Sequence, residues 1–116
     1  MKNKIFGLIM TYNCASLVEK AYRSLPKELF DTIICVDDDS TDDSVEVVRQ
    51  LGIQAFTHPH TGYGGNLIFG LKKAFELGAT HVIEIHGDAQ YSTSQIPLTI
   101  SKLNSGCDLI LGNRYH

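Results

Sequence analysis

Residues 32–57 read TIICVDDDSTDDSVEVVRQLGIQAFT. The opening run, Thr32 to Val36, is short, nearly all apolar and rich in β-branched residues. Such a run fits a strand buried on both faces, as in a parallel sheet covered by helices. Asp43 to Leu51 then places Val47, Val48 and Leu51 on one helical stripe. Ser40, with Asp43 three residues on, offers a capping box for that helix. Gly52 follows, where a left-handed helix cap costs glycine nothing. A weaker apolar run, Ile53 to Thr57, closes the stretch. Strand, helix and strand in this order are a βαβ unit.

The same grammar continues in both directions. Upstream lie a strand at Lys4 to Met10 and a helix at Ala15 to Leu25, striped by Leu17, Val18, Ala21, Tyr22 and Leu25 and ended by Pro26. Downstream, Gly65 to Leu77 carries Leu67, Ile68, Leu71, Ala74 and Phe75, and Gly78 stops it. A strand at His81 to Ile85 follows, then a helix at Ser94 to Leu103 with Ile96, Ile100 and Leu103, then Gly106 and a strand at Asp108 to Leu111. Right-handed crossovers turn this alternation into an open, doubly wound, Rossmann-like α/β sheet. It is mostly parallel, with helices on both faces and about five strands and four helices.

Composition narrows the function. The 116 residues are 43% hydrophobic and 20% charged, which suits one packed domain. Ten basic against thirteen acidic residues give a net charge of −3, so no nucleic-acid partner is expected. No apolar run is long enough to span a membrane. The three cysteines, Cys14, Cys35 and Cys107, lack CxxC spacing, and a reducing cytoplasm is the expected compartment.

In such sheets ligands bind beyond the carboxyl ends of the strands. After the first strand, Tyr12 offers a flat face for a base or sugar, and Asn13 a cap for the first helix. After the second, Asp37, Asp38, Asp39, Asp42 and Asp43 put five carboxylates in seven residues. Adjacent acids repel and raise one another's pKa values, so they point to a metal, base N–H groups or ribose hydroxyls. A solvated acidic turn is the structural alternative. After the third come His58, His60 and a glycine-rich turn, Gly62-Tyr63-Gly64-Gly65-Asn66, whose helix N-terminus favours an anion. The two histidines read as a surface loop pair. After the fourth, Gly87 permits close approach of a ligand beside Asp88, a residue suited to a metal or phosphate, and His86 reads as packed. After the fifth, Arg114 carries a fork suited to phosphate oxygens. Mg2+ or Mn2+ with a nucleoside diphosphate satisfies this whole set.

These motifs, in this order, resemble those of family 2 glycosyltransferases of the GT-A fold, and most of all the dolichyl-phosphate mannose synthase-like branch. The residues that carry the resemblance are Thr11-Tyr12-Asn13, Val36 to Asp42, Gly62 to Asn66, His86 to Tyr91 and Gly112 to Tyr115. It implies that Tyr12 and Asp38 contact base and ribose, with Val36 and Asp37 beside them. Asp88, beside Gly87, matches the last acid of the family's DxD motif and binds the metal. Gln90 lies near sugar and acceptor, and Arg114 reaches the phosphates or the acceptor phosphate. Asp88, Gln90 and Arg114 are thus the implied catalytic set, with a nucleotide sugar as donor. Met10 and Cys14 stand where the family commonly has proline and glutamate, and His86 stands at the first DxD acid, a second candidate metal ligand.

Family members continue well past the G-x-R-Y segment. The chain is therefore expected to be the nucleotide-sugar-binding part, residues 1–116, without the acceptor site and with self-association into a homo-oligomer. The implied setting is cell-wall or polysaccharide synthesis, with a lipid-phosphate acceptor at the cytoplasmic face of a membrane. A nucleotide-binding fragment without turnover is the main alternative. A receiver-type phosphoacceptor domain fits less well, because Thr11-Tyr12-Asn13 stands where its acid pair belongs and Gly112-Asn113-Arg114 where its lysine belongs.

Overall fold

The computed structural model describes residues 3–88 and 96–104. These hold four strands: β1 (Ile5–Thr11), β2 (Thr32–Asp37), β3 (Gln54–Thr57) and β4 (His81–His86). They also hold four α-helices, α1 (Val18–Arg23), α2 (Ser44–Gln50), α3 (Gly62–Glu76) and α4 (Ile96–Asn104), and a 3-10 turn at Lys27–Leu29. The strands form one parallel sheet in the order β3-β2-β1-β4. The expected strand at Asp108 to Leu111 lies outside the described residues, as do Gly106, Cys107 and the Ser94 start of the last helix.

All seven residues of β1 are buried, because helices cover both faces of the sheet. On one face Phe6, Leu8, Met10, Ile34 and Val36 meet Ala74 of α3. On the other Ile5, Ile9, Cys35, Ala55 and Ile85 meet Val18 of α1, Val48 of α2, and Ile96 and Ile100 of α4. Burying one such aliphatic side chain stabilises by about 1.5–3 kcal/mol, which is why continuous apolar runs settle in the central strands. Gly52 and Gly78 close α2 and α3 at φ +86° and +106°, as their positions imply.

Several helix boundaries and stripes differ from the sequence reading. The first helix starts at Val18, not Ala15, because the preceding backbone is bonded elsewhere. The N–H groups of Asn13, Cys14 and Ala15 donate to Ser40 Oγ, Ser44 Oγ and Asp42 Oδ2 of the loop after β2. Leu17 is consequently exposed, and the helix is capped at Ser24 before Pro26 is reached. Ser40 does not cap α2, whose N-cap is Asp43; its hydroxyl donates to Asp37 instead.

Helix α3 begins three residues early, at Gly62, and of its expected stripe Leu67, Leu71 and Ala74 pack toward the sheet while Ile68 and Phe75 do not. Ile68 and Phe75 are 56% and 52% exposed, whereas Asn66, Gly70 and Ala74 are buried. Beside Leu67, Phe69 and Leu71, the helix meets the sheet through small residues. A Cβ at Gly70 would stand 2.7 Å from Leu8 Cδ2 and 2.8 Å from Val36 Cγ2. Gly70→Val therefore overpacks this contact and should cost about 1–3 kcal/mol in urea denaturation. A change below about 0.5 kcal/mol would show that α3 stands off the sheet with ease.

Candidate functional site

The strand order reverses at β1. The chain runs from β1 through β2 to β3, then returns to lay β4 on the other side of β1. A crevice opens where such a reversal leaves two strand ends without a crossing loop between them. Here a cleft of about 290 Å3 lies over the ends of β1 and β4, lined by Tyr12, Asp38, His60, His86, Gly87 and Asp88 among others.

The two loops at the edge are tied together. Asn13 adopts φ +50°, and its side-chain oxygen accepts from Thr41 N at 2.8 Å and Asp42 N at 3.4 Å. It braces the second loop and does not cap α1, as the sequence reading had it. Burial works to raise the Asp42 carboxyl, but the Ser44 hydroxyl and the N–H groups of Ala15 and Ser44 outweigh it and hold the group below its ordinary value. Mutual repulsion among the acids thus does not set this one's titration.

Asp37 and Asp38 are buried, at 1% and 3% exposure. Asp37 accepts from Thr11 Oγ1 and Ser40 Oγ, both at 2.6 Å, and from Ser40 N at 2.8 Å. Val36, before it, is fully buried in the core. Asp38 turns to α3. Its Oδ1 accepts from Thr61 N at 2.8 Å and Thr61 Oγ1 at 3.3 Å, and its Oδ2 from Gly62 N at 2.9 Å. A carboxylate at a helix N-terminus is favoured by the macrodipole. The helix end that reads as an anion site is therefore already held by this chain's own carboxylate.

The histidines beyond β3 are not a surface pair. The His58 side chain is 8% exposed, lies against the Phe69 ring, and has Nε2 2.6 Å from Asn66 Oδ1. His60 is half-exposed, with Nδ1 2.9 Å from Asp38 Oδ2 and its ring 4.7 Å from that of Tyr12. Nothing in the apolar pattern marks this division. Its one sequence signal is the closeness of both histidines to a helix start that a distant acid caps.

At the end of β4, Gly87 N donates to Met10 O at 2.8 Å. A Cβ on Gly87 would stand 2.7 Å from that same oxygen and 3.1 Å from Cys14 Sγ. The close approach that requires glycine is therefore to the neighbouring strand. His86 is packed, its ring stacked 5.7 Å from that of Tyr63. His86 Nε2 and the Tyr63 hydroxyl both donate to Glu84 Oε1, at 2.7 and 2.5 Å. Glu84 carries no motif; only the two-residue strand period places it beside His86. Asp88 is half-buried on the cleft wall. Gln90 and Arg114 lie outside the described residues.

Among the described residues no three His, Cys, Asp or Glu side chains gather as a metal cage. Asp88 supplies one hard oxygen donor, and His86 Nε2 is engaged by Glu84. Mg2+ is commonly held by one or two carboxylates together with substrate phosphates. The donor set fits an ion shared with a diphosphate.

Comparison with known proteins agrees with this architecture. The model of glycosyl transferase family 2 matches residues 8–116. The chain belongs to that family, and its sheet is of the Rossmann-like GT-A type. It is 28% identical to a UDP-N-acetylglucosamine–dolichyl-phosphate N-acetylglucosaminyltransferase of Methanococcus voltae, over 95% of this chain and 51% of that one. It is 30% identical to an uncharacterized glycosyltransferase of Rickettsia felis, over 87% of this chain and 41% of the relative. Glucosyl-3-phosphoglycerate synthase of Mycobacterium tuberculosis, solved with Mn2+, UDP and glucosyl-3-phosphoglycerate, superposes with a TM-score of 0.73. That match is 20% identical and covers 90% of this chain and 40% of the synthase. The chain thus spans about half the length, or less, of these relatives.

The two described cysteines are buried, Cys14 in the cleft wall and Cys35 within β2. Burial pushes both thiols up, Cys35 to about 12. The thiolate is the reactive form, so at pH 8 neither should be alkylated by iodoacetamide while the chain is folded. Peptide mass mapping should find both labelled only in denaturant. Rapid labelling of Cys35 in buffer would contradict its placement.

Proposed function

We propose that these residues are the nucleotide-sugar-binding part of a glycosyltransferase that moves a sugar from a nucleoside diphosphate to a lipid phosphate of the polyprenyl or dolichyl class. The observation that carries this reading is the cleft over β1 and β4, lined by Tyr12, Asp38 and Asp88 together. Two comparisons support it. The M. voltae relative is named for a UDP-sugar donor and dolichyl phosphate, and the mycobacterial synthase was solved with Mn2+ and UDP.

Tyr12, 48% exposed, gives the nucleoside a flat apolar face. Asp38 lies at the same corner. Asp88 faces the diphosphate and holds a divalent ion jointly with it; His86 is the neighbouring candidate ligand. When bound, Mg2+ or Mn2+ supplies Lewis-acid neutralisation of the charge that develops on the leaving diphosphate. The resemblance assigns Gln90 to the sugar and acceptor, and Arg114 to the phosphates. A lipid phosphate acceptor is already anionic and attacks the anomeric carbon with little need of a general base. Such a substrate sets the work at a membrane face on the cytoplasmic side. No helix among the described residues is long and apolar enough to cross a membrane.

Calorimetry with UDP, with and without Mn2+, tests the reading. Mn2+ should strengthen binding by the wild-type chain, and Asp88→Asn should lose most of that gain, about tenfold or more, the scale of one charged contact. Arg114→Ala should weaken UDP far more than uridine. An unchanged metal response in Asp88→Asn would remove Asp88 from the site.

A further inference from the structure

Along β4, Val82, Glu84 and His86 alternate with Ile83 and Ile85, and Val82 packs in the cluster that holds Ala74 of α3. Glu84 is thus a carboxylate on the α3 side of the sheet, at a place where the strand period expects an apolar residue. Its Oε1 accepts from His86 Nε2 at 2.7 Å and from the Tyr63 hydroxyl at 2.5 Å. The Glu84 and His86 side chains are both half-buried, at 29% and 25% exposure. The Tyr63 and His86 rings stack with their planes 10° apart, and both line the cleft. One carboxylate therefore fixes two rings of the same cleft wall.

That bond sets the His86 tautomer. An ionised carboxylate only accepts, so Nε2 carries the proton. In the neutral ring Nδ1 then holds the lone pair, and a neutral imidazole nitrogen is a metal ligand. Ligating histidines commonly donate their other N–H to a carboxylate, which orients the ring and raises its basicity. His86 and Asp88 line the same cleft. Asp88 brings a hard oxygen, whereas His86 brings a nitrogen where the resemblance has an acid. The difference bears on the choice of ion. Carboxylate and phosphate oxygens suit Mg2+, whereas imidazole suits the transition metals, for which affinity at such sites rises from Mn2+ to Co2+.

We propose that Glu84 is a positioning residue for metal choice: it holds His86 so that Nδ1 joins Asp88 on the divalent ion and turns the site toward transition-metal ions over Mg2+. The inference rests on the reading of the cleft as a nucleoside-diphosphate site and adds the selectivity of its ion. Glu84 acts only through His86, so its removal should change which ion is preferred and not whether UDP is bound.

The test is UDP affinity of the full chain by calorimetry, without metal and in Mg2+, Mn2+ or Co2+, for wild type, Glu84→Ala, Glu84→Gln and His86→Asp. Pulsed EPR of the Mn2+ and UDP complex accompanies it. In wild type Co2+ should strengthen UDP binding about tenfold more than Mg2+ does, with Mn2+ between them. The EPR should show nitrogen coupling to Mn2+. Glu84→Ala should lower the Co2+ gain by about tenfold, the scale of a lost partner behind a metal ligand, and leave the Mg2+ gain and the metal-free affinity within about twofold. Glu84→Gln, which keeps an oxygen for the Nε2 proton, should recover part of that loss. His86→Asp should abolish the nitrogen coupling and bring the Mg2+ gain toward that of Co2+. An equal loss in Co2+ and Mg2+ for Glu84→Ala would reduce Glu84 to a structural role. Absence of nitrogen coupling in wild type, a result that needs no variant to fold, would take His86 off the ion. Either result overturns the inference and leaves the nucleotide site standing. Failure of wild type to bind UDP, with or without metal, would overturn both.

Discussion

A helix joining two parallel strands crosses over in the right-handed sense, and this chain changes direction only once among its described strands. Moving outward from β1 to β3, the crossovers α1 and α2 must lie on one face of the sheet. Returning to place β4 beside β1, α3 must lie on the other. The two buried clusters divide in just this way, one with Val18 and Val48, the other with Ala74. The same reversal draws the loops after β1 and β4 apart and leaves the cleft over their ends. Handedness and the reversal at β1 together therefore set where Tyr12 and Asp88 line one cleft.

What makes that edge firm is the fate of its acids. Two buried neighbours, Asp37 and Asp38, carry charge into a region with little water, and each is accommodated by hydrogen-bond donors. Asp37 is satisfied by Thr11 of the paired strand and by its own turn at Ser40. Asp38 is satisfied by the start of α3. Every buried polar side-chain atom among the described residues has such a partner. With Asn13, Ser40, Asp42 and Ser44 tying the first two loops together, the strand ends form one hydrogen-bonded frame. A frame of this kind reduces the ordering that a ligand must otherwise impose.

Much of the fold was legible because its determinants are local or periodic. Continuous apolar runs such as Ile5 to Met10 mark strands that helices cover on both sides, and Gly52 and Gly78 mark the stops. Reading failed where contact depended on shape. In α3 the stripe members Leu67, Leu71 and Ala74 face the sheet as their spacing implies, but Ile68 and Phe75 do not, because the line of closest approach runs through Gly70, which lets Leu8 and Val36 come close. The start of α1 was misplaced because the bonds that delay it come from residues 27 to 30 positions away.

The class of sheet, the family and the positions of Tyr12, Asp38 and Asp88 at strand ends can be read along the chain, because hydrophobic period and motif order are properties of the chain. Which donors the strand-end acids meet is set only by the tertiary fold: Thr11 and Ser40 for Asp37, Thr61 and Gly62 for Asp38. Asp38 reads in sequence as one carboxylate among five; in the fold it is a buried cap on the start of α3. The reason is physical. A side chain's chemistry toward a ligand depends on which of its lone pairs other donors occupy, and for Asp38 those donors arrive from Thr61 and Gly62 at the start of α3 only once the sheet has closed.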